Sequence, residues 1–201
     1  MKKSTLSILG AAAMVISLAS CSGEAPFLGQ WEGSPKTIQE GLPPTATGTS
    51  TASIHFMEGT DKTAGKVTLE QDIDLRQSIP YDNGMNFEIH VAGKVSTEGR
   101  WTYDVDDDDD LLLTFDANTI KVDIDTNEVV CNEAADNEKI KAACDELKEK
   151  GLPMWKSAME GIFRHDLSRY AVISDISKGK DGNTLTFEIE QPEEQVVMQR
   201  K

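Results

Sequence analysis

Three features of this sequence predict a mainly β chain, folded as an antiparallel barrel of about eight to ten strands with a two-helix insert. Apolar residues alternate with polar ones through many short segments between 51 and 126, and again between 170 and 200. The turns between segments are mostly short and rich in Gly, Asp, Asn and Pro, which favours meander connections over βαβ crossovers. Only the stretch 133–165 changes to helical spacing. Closure into a barrel is preferred to an open sheet because it leaves no bare strand edges.

The N-terminus sets the compartment. Lys2 and Lys3 precede an apolar run from Leu6 to Leu18, and Leu18-Ala19-Ser20-Cys21 follows. A positive start, an apolar stretch too short to span a bilayer and small residues before a cut describe an export signal over 1–20. Residues 21–26 then form a tether, and the folded domain occupies 27–201.

Removing Lys2 and Lys3 with the signal takes the formal charge from −15 to −17. A domain this acidic is repelled by nucleic acid and by anionic headgroups, so nucleic-acid binding is not expected. The remaining length suits one domain with a real core.

Phe27-Leu28-Gly29-Gln30-Trp31 is the first strand, and Glu32 to Ser50, with Pro43-Pro44, reads as a long exposed loop. Ala52, Ile54 and Phe56 face one way from Thr51 onward. Val67, Leu69, Ile73 and Leu75 form the next inner row, opposite Glu70, Asp72 and Asp74. Turns at 59–65 and 80–84 bound this strand; Phe87, Ile89 and Val91 follow, then a break at Gly93. Val95, Trp101, Tyr103 and Val105 continue the pattern. Asp106 to Asp110 separates them from Leu111 to Phe115, and Ile120, Val122 and Ile124 close this half. After the insert come Tyr170 to Ile176, the turn 178–183, then Leu185, Phe187 and Ile189, and a last strand from Gln195 to Arg200.

In the insert, Ile140, Ala143, Cys144 and Leu147 keep helical spacing, and Gly151 reads as a stop. Pro153 opens a second helix with the stripe Trp155, Ala158, Met159, Ile162 and Phe163. That stripe either packs on the outer barrel wall or lies across the mouth as a lid. Cys131 and Cys144 are an even pair outside the cytoplasm. They are either a disulfide, worth roughly 3 kcal/mol for so short a loop, or two buried thiols.

The Leu-Ala-Ser-Cys sequence resembles the lipobox of bacterial lipoproteins, in which the cysteine, here Cys21, is acylated and becomes the new N-terminus. From Phe27 to Lys201 the chain resembles the lipocalin-like, calycin-like lipoproteins of bacteroidete-type bacteria. The likeness rests on Phe-Leu-Gly-Gln-Trp-Glu-Gly, Gly-Arg-Trp-Thr-Tyr-Asp, Asn-Thr-Leu-Thr-Phe-Glu and Val-Val-Met-Gln-Arg-Lys. It implies that Gly29 and Trp31 lie at the closed end of a barrel, with Arg200 of the last strand stacked over the indole. The Thr-Asp-Tyr loop of the classical lipocalins is absent, and the insert is larger than theirs.

The acidic run 106–110 lacks the ligand spacing of a calcium loop. Glu70, Asp72 and Asp74, with Asp123 and Asp125, are rows that a glycosidase pair or any solvent-facing strand would supply. His55, His90 and His165 do not define a metal site, and no nucleophile elbow, phosphate loop or zinc cluster occurs. No enzyme activity, metal or cofactor is therefore expected. The expected function is a cell-envelope lipoprotein, anchored in the outer membrane on its periplasmic or surface leaflet. Its barrel would bind a small apolar or amphipathic ligand between Ile54, Phe56, Leu69, Phe87, Ile89, Trp101, Leu113 and Phe115. The alternative is a filled barrel with no ligand, acting as a structural or protein-interaction lipoprotein.

Overall fold

Strand β1 (Gly29–Gly33) pairs antiparallel on both sides, and this closes the sheet. The computed structural model describes residues 25–38, 41–60, 62–80, 86–103, 110–126, 129–131, 138–190 and 193–201, without the side chain of Phe87. The signal, Cys21, most of the acidic run and the start of the insert lie outside these residues.

The other elements are β2 (Lys36–Thr37), β3 (Ala46–Glu58), β4 (Ala64–Pro80), β5 (Asn86–Tyr103), β6 (Leu111–Phe115), β7 (Lys121–Ile124), β8 (Val130–Cys131), α1 (Glu138–Leu167), β9 (Val172–Lys178), β10 (Thr184–Glu190) and β11 (Glu193–Arg200). Eight strands close the barrel in the order β1-β11-β10-β9-β6-β5-β4-β3 and back to β1, every pairing antiparallel. This eight-stranded antiparallel barrel is compatible with a lipocalin-like fold.

The two longest strands carry the architecture. β4 and β5 pair without a break from Ala64↔Thr102 to Pro80↔Asn86. β4 keeps β3 as its other neighbour from Gly65 to Gln77, whereas β5 changes its other partner along its length. β5 pairs with β6 at 99–103, with β7 at 93–96 and with β8 at 89–90. One strand thus serves the closed barrel through β6 and the two short strands β7 and β8.

Three expectations need correction. The stretch 32–50 is not one long loop, because β1 reaches Gly33, β2 lies within it and β3 starts at Ala46. The inner positions there are the small residues Gly48 and Ser50, which give no hydrophobic signal but continue the alternation of Ile54 and Phe56. Gly93 does not interrupt β5. Its inner face is filled by Met159 from α1, whose Sδ would lie 2.7 Å from any β-carbon placed there.

The insert is one continuous helix of 30 residues, not two. Pro153 removes the hydrogen bond to the carbonyl four residues back and crowds that carbonyl, and Gly151 lowers helix propensity without forbidding it. Gly151 also makes room for Trp155, whose ring lies 2.9 Å from where a β-carbon would be. No helix of the described residues is long and apolar enough to cross a membrane.

Candidate functional site

The closed end of the barrel is built from β1 outward. Gly29 has φ +121°, a conformation that favours glycine, and a β-carbon there would sit 3.4 Å from Arg200 Nη2. Two residues on, Trp31 is fully buried and pairs across the sheet with Ile54 and Arg200. Its Nε1 donates to the Phe27 carbonyl at 2.6 Å. The Arg200 guanidinium lies 5.6 Å from the indole centroid, and Lys178 Nζ lies 6.0 Å from it. Gly29, Trp31 and Arg200 are thus brought together at the β1–β11 seam.

Phe27 plugs this end. Its ring packs edge-on against Phe56, Trp101 and Tyr103, with centroids 5.2, 5.0 and 5.9 Å away. Trp101 donates from Nε1 to the Met57 carbonyl at 2.9 Å, fixing the indole between β3 and β5. Sequence reasoning placed Phe27 on the first strand but not inside; its spacing of four residues from Trp31 matches the Trp31–Phe27 hydrogen bond and is the available signal.

The residues expected to line a ligand cup come together in the interior, but as packed core. Ile54 and Leu69 are 0% exposed, Phe56, Ile89 and Trp101 are 1% and Leu113 is 5%; Phe115 is half-buried. A void large enough for water would leave accessible surface on its walls, whether sealed or open. Of the described side chains at these positions, all but Phe115 leave 5% or less of their surface accessible. The side chain of Phe87 lies outside the described residues.

Helix α1 closes the other end from within. Gln71, between Leu69 and Ile73 on the inner row of β4, is 2% exposed and donates from Nε2 to Asp166 Oδ2 at 2.8 Å. Met159 meets the inner face of β5 at Gly93. Of the two places open to the apolar stripe, the mouth is therefore the one it takes. Asp166 also faces Arg169, with Oδ1 to Nη1 3.7 Å. Arg169 and Lys36 both pair with Glu194 of β11, which holds its carboxyl below the usual range, the Lys36 hydrogen bond contributing most. Burial, reinforced by the Asp166 carboxylate, pushes Tyr170 up to about 12. Gln71 Oε1 and Arg169 Nε are buried without a hydrogen-bond partner among the described residues. None of this network was read from the sequence, since Gln71 is a polar residue at an inner position and breaks the apolar rule.

On the outer face an open groove of 440 Å³ runs over β3, β4, β5 and β7. It is lined by Thr49, Thr51, Lys94 and the carboxylates Asp72, Asp74, Asp123 and Asp125. The two acidic rows named from the sequence thus converge on one surface. Lys94 lies 3.4 Å from Asp72 and 3.5 Å from Glu70, and its ammonium is held above the usual lysine range, chiefly by Asp72. His90 Nε2 is 2.6 Å from Asp74 Oδ2. Among the described residues no three His, Cys, Asp or Glu side chains are grouped to hold a metal ion.

Cys131 of β8 and Cys144 of α1 are joined by a disulfide, with Cα atoms 6.3 Å apart. No protein-family model, curated protein or solved structure matches the chain.

Proposed function

We propose that this chain is a lipocalin-like lipoprotein of the cell envelope, anchored through Cys21 in the outer membrane, whose barrel is a filled scaffold. It acts through its exterior as a structural or protein-interaction module, not as an enzyme. The observation that supports this reading best is the near-zero exposure of Ile54, Phe56, Leu69, Ile89 and Trp101, positions that a ligand cup would have to leave bare. Phe27 packs against Phe56 and Trp101, and Met159 meets the inner face of β5 at Gly93. The outer face, with its acidic groove, is the surface left for partners.

A second reading is favoured by the position of α1. The helix is an insert laid on the inner face of β4 and β5, so displacing it would bare an apolar wall fit for a small apolar or amphipathic molecule. Native mass spectrometry of the mature domain, purified from its own cells, separates the two. The filled scaffold gives the mass of the acylated chain alone; a co-purifying small molecule supports the carrier. Replacing Cys21 with Ser tests the anchor: the variant leaves the membrane fraction if the lipobox reading is right and stays with it if wrong.

A further inference from the structure

The chain enters the folded domain at the closed end of the barrel. Leu28 N donates to the Ala25 carbonyl at 3.1 Å, and Phe27 is packed inside against Phe56, Trp101 and Tyr103. At the same end β3 turns into β4 (Glu58↔Gly65), β5 stops opposite the start of β6 (Tyr103↔Leu111), and β9 turns into β10 between Lys178 and Thr184. The last residues lie here too, since Arg200 pairs with Trp31 and Lys201 N donates to the Gln30 carbonyl at 3.0 Å.

The other end is far from this point. Arg76, exposed on β4, lies about 40 Å of strand beyond Ala64 at the rise of an antiparallel strand. The groove carboxylates begin at Asp72, about 27 Å along the same path. Between Cys21 and Ala25, by contrast, the chain reaches at most about 14 Å when fully extended.

We infer that the closed end is the face of the barrel turned towards the membrane, held at the lipid headgroup layer by this short tether, while the acidic groove stands off into the aqueous space. The inference rests on acylation of Cys21 and adds to it an orientation and a contact surface. Lys62, Lys178, Lys180, Arg200 and Lys201 are exposed at this end. The acidic run 106–110 joins β5 to β6 there as well, so it is the tether and not charge that holds this end to the lipid. Asp72, Asp74, Asp123 and Asp125 line the groove, beyond the screening length of about 8 Å in physiological salt, so anionic headgroups barely repel them.

A fluorophore on an introduced cysteine tests the orientation, in the mature acylated chain on vesicles of phosphatidylethanolamine and phosphatidylglycerol that carry a headgroup nitroxide. With Cys21 acylated and Cys131 bonded to Cys144, the introduced cysteine is the one thiol to label. K62C and K180C, in exposed turns of the closed end, should be quenched about threefold or more as strongly as R76C, because about 40 Å of strand separates the two ends. Equal quenching at all three positions, meaning a barrel lying on its side, or stronger quenching at R76C would overturn the orientation while the chain still floats with the vesicles. A chain that does not float would overturn the anchor, and the orientation with it. A flexible spacer of about ten Gly and Ser residues between Gly23 and Glu24 adds a reach of about 33 Å. It should keep flotation and bring the K62C and K180C signals down towards that of R76C; unchanged signals would contradict the tether as the cause.

Discussion

Arg200 and Trp31 are direct partners across the β1–β11 pairing, and the guanidinium lies 5.6 Å from the indole centroid. The contact closes the barrel seam with one cation over one ring. R200A should lower unfolding free energy by about 0.5 to 2 kcal/mol, towards the low end because Lys178 also faces the ring at 6.0 Å. W31A should cost about 3 to 5 kcal/mol through the cavity it opens. Urea unfolding of both variants checks the order, and an R200A loss as large as that of W31A would mean that Arg200 has another role.

Gly65 faces Trp101 across the β4–β5 pairing, and a β-carbon there would collide with the indole Nε1 and with the Met57 carbonyl, the two partners of one hydrogen bond. G65A should therefore destabilise by about 1 to 3 kcal/mol. Tryptophan emission should also shift to the red as the indole loses its fixed environment. Unaltered emission with unaltered stability would show that the closed end has slack.

Gln71 bridges the barrel wall to the end of α1. Q71A removes the donor to Asp166 and leaves a void, and should cost about 1.5 to 3 kcal/mol, the range of a hydrogen bond to a charged group. Q71L fills the space and also removes the unpartnered Oε1, so it should cost less than Q71A. Chemical denaturation of the pair decides; a costlier Q71L would mean that polarity at this point, not packing, holds the helix.

The ionisable groups predict both limbs of the stability profile. Glu194 and Glu32 are held below the usual carboxylate range, Glu194 chiefly by the Lys36 hydrogen bond and Glu32 chiefly by that from Lys201. Their stabilisation is present above the unfolded carboxylate pKa and is lost as pH falls through the lower folded values. Both are partly solvated, so the effect of E194Q should stay within about 1 kcal/mol and appear as a flatter acid limb. Tyr170 has the opposite sense. Raised from 10.0 to about 12 by burial, it stabilises the fold below pH 10 and loses that contribution as pH rises towards 12. Y170F should flatten the alkaline limb, and melting temperature against pH for both variants measures these slopes.

The barrel was legible because inner rows such as Val67, Leu69, Ile73 and Leu75 announce themselves by alternation, and the Trp31–Arg200 pair because a motif carried it. What escaped is where a small or polar residue occupies an inner position. Gly48, Ser50 and Gly93 carry no hydrophobic signal, yet Gly93 is the notch for Met159. Gly151 and Pro153 read as a helix break because propensity is local, whereas Trp155, Met159 and Phe163 anchor the turns that follow the break in the core. The acidic rows were visible strand by strand. Their convergence over β4, β5 and β7 depends on β5 exchanging β6 for β7 midway, which no local pattern encodes.

The filled interior is tested most directly by the unfolding free energy of F56A. Phe56 is 1% exposed and packs against Phe27 at 5.2 Å between centroids. In a filled barrel its truncation removes contacts on every side and should cost about 3 to 5 kcal/mol. A loss below about 1 kcal/mol, far under the cost of truncating a packed aromatic, would mean that the ring borders empty space, and the scaffold reading would give way to the carrier.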